Sequence, residues 1–171
     1  MKIVVSFMAD IHDYTTGKII ENYKKATICL ALLRIPIIGD MVGGKVVTKT
    51  LAFEPKLIDK ETASGLIQKS SKCAVGERVC REVYKDSEYT EAVFLDELAE
   101  GMVDAGKAKY VDGNEAVETL EKYTKNPLII SKVSGKYLEI CATLPKTCIY
   151  WNMHRHGLRC IEVSNPEPKI Y

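Results

Sequence analysis

Two apolar, β-branched runs, Leu128 to Val133 and Lys136 to Cys141, flank the dipeptide Ser134-Gly135. A two-residue connection of this kind suits a tight hairpin, so part of the chain is committed to paired strands. The remaining segments must be fitted around that pair. Lys2 to Phe7 reads as a buried strand rich in Val and Ile, and Lys45 to Phe53 as an alternating one closed by Pro55. Lys107 to Val111 and Leu158 to Val163 read as further short strands.

Helical spacing marks four other stretches. Lys18 to Leu33 carries Ile19, Ile20, Tyr23, Ala26 and Leu30 on one face and is stopped by Pro36 and Gly39. Asp59 to Ser70 carries Ala63, Leu66 and Ile67. Glu91 to Ala105 has Thr90 as its N-cap and Gly106 as its stop, and Asp112 with Glu115 forms a capping box before Ala116, Val117, Leu120 and Tyr123. Ser71 to Ser87 has no clean period, and the chain is loop-rich from Ala142 onward. The expectation is a mixed α/β or α+β fold: one domain over residues 1–164 with a central sheet and about four helices, then a loose tail over 165–171.

A length of 171 residues suits one domain, and a net charge of +1 argues against a dedicated nucleic-acid binder. Charge is nonetheless uneven. Residues 82–121 hold 3 basic and 12 acidic groups, a net of −9. Such a stretch reads as the solvated face of two helices, or as a docking surface for a basic protein partner. The N-terminal apolar run is interrupted by Asp10, and Ala26 to Gly39 carries Arg34 and Pro36 and is shorter than the roughly 20 residues of a membrane span. The reading is therefore a soluble, cytoplasmic chain.

In a reducing cytoplasm, six cysteines beside three histidines point to metal ligands, reactive thiols or core residues before disulfides. Cys29 sits in the first helical stretch and reads as core. The other five fall in two groups with matching intervals, Cys73 with Cys80 and Cys141 with Cys148, followed by Cys160. Gly76 and Pro145 argue that both intervals are loops, which can fold thiols back together. Thiolates are strong donors to iron–sulfur clusters and zinc. Cys73, Cys80, Cys141, Cys148 and Cys160 offer enough sulfur for a cluster, and Cys148, His154, His156 and Cys160 could supply zinc. Arg78, Arg81, Lys146, Arg155 and Arg159 would offset the charge of an anionic centre. The expected function is metal binding, an iron–sulfur cluster before zinc, in electron transfer, sensing or structural support. A single glutamine among plentiful Lys, Glu, Ile and Val is a thermophile-like bias, and it keeps a disulfide-stapled interaction protein as an alternative.

Asp10-Ile11-His12 directly follows the first expected strand, with Gly39-Asp40, Gly113-Asn114-Glu115 and His154-Arg155-His156 in order behind it. This arrangement resembles the metallophosphoesterases, in which an aspartate and a histidine at a strand end bind metal. The resemblance implies metal-dependent phosphoester hydrolysis, with Asp10 and His12 as ligands and two ions generating hydroxide. It covers about ten residues and lacks the histidine after Gly113-Asn114.

Overall fold

The computed structural model describes residues 10–32, 52–84, 91–123, 125–157 and 160–161. The expected strand Lys2 to Phe7, most of Lys45 to Phe53 and of Leu158 to Val163, and the tail lie outside the described residues. In chain order the elements are α1 (Ile11–Thr15), α2 (Lys18–Leu32), β1 (Lys56–Ile58), α3 (Lys60–Lys69), β2 (Cys73–Glu77), α4 (Val79–Val83) and β3 (Glu91–Leu95). They continue with α5 (Asp96–Asp104), β4 (Ala108–Val111), α6 (Gly113–Glu121), β5 (Leu128–Val133), β6 (Lys136–Ala142) and α7 (Ile149–Arg155).

Among the described residues the strands form one six-stranded sheet in the order β1-β5-β6-β3-β2-β4. Every pairing is antiparallel, so the class is α+β. The β5–β6 hairpin turns at Ser134 (φ 49°) and Gly135 (φ 81°), both in the left-handed region that a tight two-residue turn demands. Among the described residues no helix is long and apolar enough to cross a membrane.

Several expectations are corrected. Glu91 to Ala105 is not one helix: Glu91–Leu95 is a strand and the helix starts at Asp96. Ala92, Val93, Phe94 and Leu95 are each at most 2% exposed, so this central strand is apolar on both faces and offers no alternation to distinguish it from a helix. The Cys73 to Cys80 interval is not a loop but strand β2 running into α4. Gly76 belongs inside that strand, because a Cβ there would lie 2.5 Å from the Lys107 carbonyl oxygen and 2.9 Å from Phe94. The segment after Ala142 contains the helix α7. With it and the short α1 and α4, seven helices are described in place of about four; runs of five to seven residues are too short to show a period.

Of the caps read from the sequence, Asp112 formed, whereas α5 takes Leu95 as its N-cap in place of Thr90; Asp59 is a cap that the sequence reading did not name. Asp59 accepts from the Thr62 amide (2.7 Å) and Asp112 from the Glu115 amide (2.9 Å), fixing the starts of α3 and α6. Glu115 does not complete a reciprocal box; its carboxylate takes Lys109 at 2.9 Å. The acidic residues of the middle segment pair widely within the chain: Glu97 with Lys136, Glu100 with Lys72 and Glu91 with Lys122.

Directly paired residues of an antiparallel sheet share a face. One face presents Val75, Val93, Ile140 and Ile130, packed with Ala63 and Ile67 of α3 and Ala116 and Leu120 of α6. The other presents the register row Ala108, Gly76, Ala92, Cys141 and Ile129, and beside it Phe94, Glu139 and Ser131. A second apolar cluster, of Leu30, Ile129, Cys148, Trp151, Met153, Cys160 and Ile161, lies over this face.

Candidate functional site

Arg78 follows β2 and caps α4, and it is only 1% exposed. Its Nη1 donates to the Ala142 carbonyl oxygen at 2.7 Å and approaches Cys141 Sγ at 3.7 Å. A buried guanidinium is costly unless other groups compensate it. Its electrostatic neighbours are Cys141, Cys80 and Cys148, and Glu139 lies within the same field. Three different elements supply the thiols: Cys80 comes from α4, Cys141 from β6, and Cys148 from the residue that caps α7.

Burial dominates the chemistry of these thiols. It pushes Cys80 up to about 12 against the opposing pull of Arg78, and does the same to Cys141. Cys148 is also pushed up to about 12 by burial, opposed first by hydrogen bonding to the Trp151 amide. All three are therefore protonated at neutral pH and are weak nucleophiles as they stand.

Glu139 supplies the carboxylate of the layer. Its Oε2 accepts from Tyr14 Oη at 2.7 Å and from Ser131 Oγ at 3.0 Å. Burial raises its proton affinity, while the Tyr14 and Ser131 hydrogen bonds and Arg78 pull the other way; the net shift is upward. Tyr150 joins through Ser131, and its phenol is raised by burial first and by Glu139 next. The result is a polar band, Tyr14-Glu139-Ser131 buried and Tyr150 half-buried, alongside the arginine and its thiols.

Local hydrogen bonds fix the connection to α7. Trp151 Nε1 donates to Thr143 Oγ1 at 2.9 Å, and Thr143 Oγ1 donates to the Pro127 carbonyl at 2.8 Å. The Cys148 amide donates to the Leu144 carbonyl at 2.9 Å, closing the turn through Pro145. Cys160 lies nearby, its thiol 3.5 Å from the Tyr150 carbonyl and pushed up to about 11 by burial.

Of the five thiols singled out in the sequence, the fold thus gathers Cys80, Cys141 and Cys148, with Cys160 in the same apolar cluster as Cys148. Cys73 is elsewhere. It pairs with Leu95 and Val111 on the opposite face, and its thiol contacts the Ile67 carbonyl at 3.7 Å. Cys29, read as core, is half-buried on α2 against the second cluster. All six cysteines are free thiols.

The zinc set of Cys148, His154, His156 and Cys160 does not converge along its own helix. Six residues at ~1.5 Å each put His154 about 9 Å along α7 from Cys148. His154 lies edge-on to Trp151 at 6.0 Å, and His156 Nδ1 lies 2.8 Å from the Asn152 carbonyl. Asp10 caps α1, accepting from the His12 amide and the Ser134 hydroxyl at 3.2 Å each. That capping role accounts for the Asp10-x-His12 spacing without a metal. Among the described residues no three His, Cys, Asp or Glu side chains are placed to hold an ion together.

Sequence reasoning passed over Glu139 and Tyr14. Glu139 did leave a signal: in Tyr137-Leu-Glu-Ile-Cys-Ala it is the one charge inside an apolar strand. Comparison with known proteins gives no match: no family model fits the sequence, and no curated protein or solved structure is significantly similar to it.

Proposed function

We propose that this is a metal-binding protein of the reducing cytoplasm, taking an iron–sulfur cluster before zinc, with ligands drawn from Cys80, Cys141 and Cys148 and with Cys160 adjacent. The observation that carries this reading is the placement of three thiols from three elements in the electrostatic field of one buried guanidinium, with Cys141 3.7 Å from it. Soft sulfur donors suit iron–sulfur and zinc chemistry, and a bound cation takes over the deprotonation that burial now opposes. Thiolate centres are anionic, and Arg78 supplies a fixed positive charge beside them. Among the described residues no three ligands are in place, so binding through these thiols would draw them inward. The role that follows is electron transfer, sensing or structural support.

Anaerobic isolation of the full chain, followed by iron, acid-labile sulfide and zinc analysis and a visible spectrum, tests the proposal. Stoichiometric metal with fewer than six rapidly titratable thiols in the folded chain is the expected result. A colourless, metal-free protein that takes up neither iron–sulfur nor zinc on reconstitution would overturn it.

A further inference from the structure

The thiol layer has a roof. Helix α2 packs on α1, on α4 and on α7, so it bridges the two helical elements associated with Cys80 and Cys148. Its apolar side, with Ala26, Cys29 and Leu30, rests on the cluster that contains Cys148 and Trp151. Tyr23 is 9% exposed and has Cys148 and Cys80 as electrostatic neighbours. Its hydroxyl donates to the Thr147 carbonyl, one residue before Cys148, and its ring meets Tyr84 edge-on at 6.3 Å. Tyr84 in turn ends α4, the helix of Cys80.

On the N-terminal side α1 is tied down: Tyr14 to Glu139, the Tyr14 carbonyl to Lys107 at 3.1 Å, and the Ile11 amide to Ser134 at 3.2 Å. Between α1 and α2 stands Gly17 at φ +82°, a backbone conformation that side chains rarely adopt and that lets the chain turn sharply. A fixed anchor, a glycine turn and a helix whose tyrosine grips the far side make a hinge, a lid and a latch.

We propose that α2 is a lid hinged at Gly17 and latched by Tyr23, and that its opening controls the access of thiol-directed ligands to Cys80 and Cys148. The inference rests on this thiol layer being the site, but it does not require that the occupant be a metal. Cys73, on the opposite face of the sheet, lies outside the lid and serves as an internal reference.

The test is site-resolved alkylation of the reduced, metal-free full chain with N-ethylmaleimide, read peptide by peptide by mass spectrometry. Tyr23→Phe removes the latch hydroxyl and keeps the ring. Losing one hydrogen bond from the closed state should speed modification of Cys80 and Cys148 about fivefold to tenfold, with the Cys73 rate unchanged. Tyr84→Leu, which removes the ring contact, should act in the same direction. Unchanged rates at Cys80 and Cys148 in both variants would overturn the lid. So would acceleration of Cys73 by the same factor, which would show general loosening. Because no metal is present in this assay, neither result depends on the outcome of metal analysis.

Discussion

On β6, Leu138, Ile140 and Ala142 enter the main apolar core, while Tyr137, Glu139 and Cys141 belong to the opposite face. The contrast continues across the sheet. Cys73 lies on the first face among aliphatic neighbours, whereas Cys141 lies on the second beside Arg78, with Cys80, Cys148 and Glu139 in its field. Strands with the same backbone pairing therefore support two interiors of different chemistry. Both faces feed the main apolar core, Val75 and Ile140 from the first and Ala92 and Phe94 from the second. The second also carries an arginine, a carboxylate, phenols and thiols whose protonation states depend on one another.

If the second face is a mutually compensated polar network, its arginine should matter more than any single methylene of the first. Arg78→Met is expected to cost about 1–3 kcal/mol, because it removes the donor to the buried Ala142 carbonyl oxygen and the guanidinium charge from the field of Glu139. Adding Glu139→Leu to Arg78→Met should recover part of that loss. Denaturant unfolding of the single and double variants gives the coupling; additive losses would break the comparison.

The thiols provide a second test, in pH. The unfolded chain releases thiol protons near ~8.5, whereas folded Cys80, Cys141 and Cys148 hold theirs up to about 12. Their contribution to stability is thus complete below the unfolded value. Between those limits the unfolded state binds fewer protons, so stability falls as pH rises by about 1.4 kcal/mol per pH unit for each thiol. Thermal unfolding from pH 8 to 11 should show this slope. Replacing the three residues with alanine should flatten it much more than replacing Cys73, and equal effects would erase the distinction between the faces.

Effects no larger are expected where the two faces are simply packed. Gly76→Ala should cost about 1–3 kcal/mol, since the obstructing atom is the Lys107 backbone oxygen. On the first face, Ile140→Val should cost about 1 kcal/mol and leave the pH slope unchanged. Chemical denaturation measures both.

What could be read from the sequence follows from which signals are local. The Ser134-Gly135 turn and the Asp112 cap act over a few residues, and each stands where its spacing places it. Glu91 to Leu95 misled because a strand buried on both faces has no alternation, and its apolar residues merge with those of α5. The thiol layer was half legible. Grouping by interval picked out Cys80, Cys141 and Cys148, but it also included Cys73. Which face a strand residue takes depends on register with strands distant in sequence, and no interval between cysteines encodes that. Arg78 was visible as a nearby charge; its burial against Ala142, 64 positions away, was not.

The most direct test of the central claim compares one thiol from each face. Metal bound per chain is measured after anaerobic isolation of the parent, Cys73→Ala and Cys141→Ala, with circular dichroism confirming that each is folded. Full metal content is expected in Cys73→Ala, and its loss in Cys141→Ala. Retention by Cys141→Ala, or loss from Cys73→Ala alone, would contradict that claim.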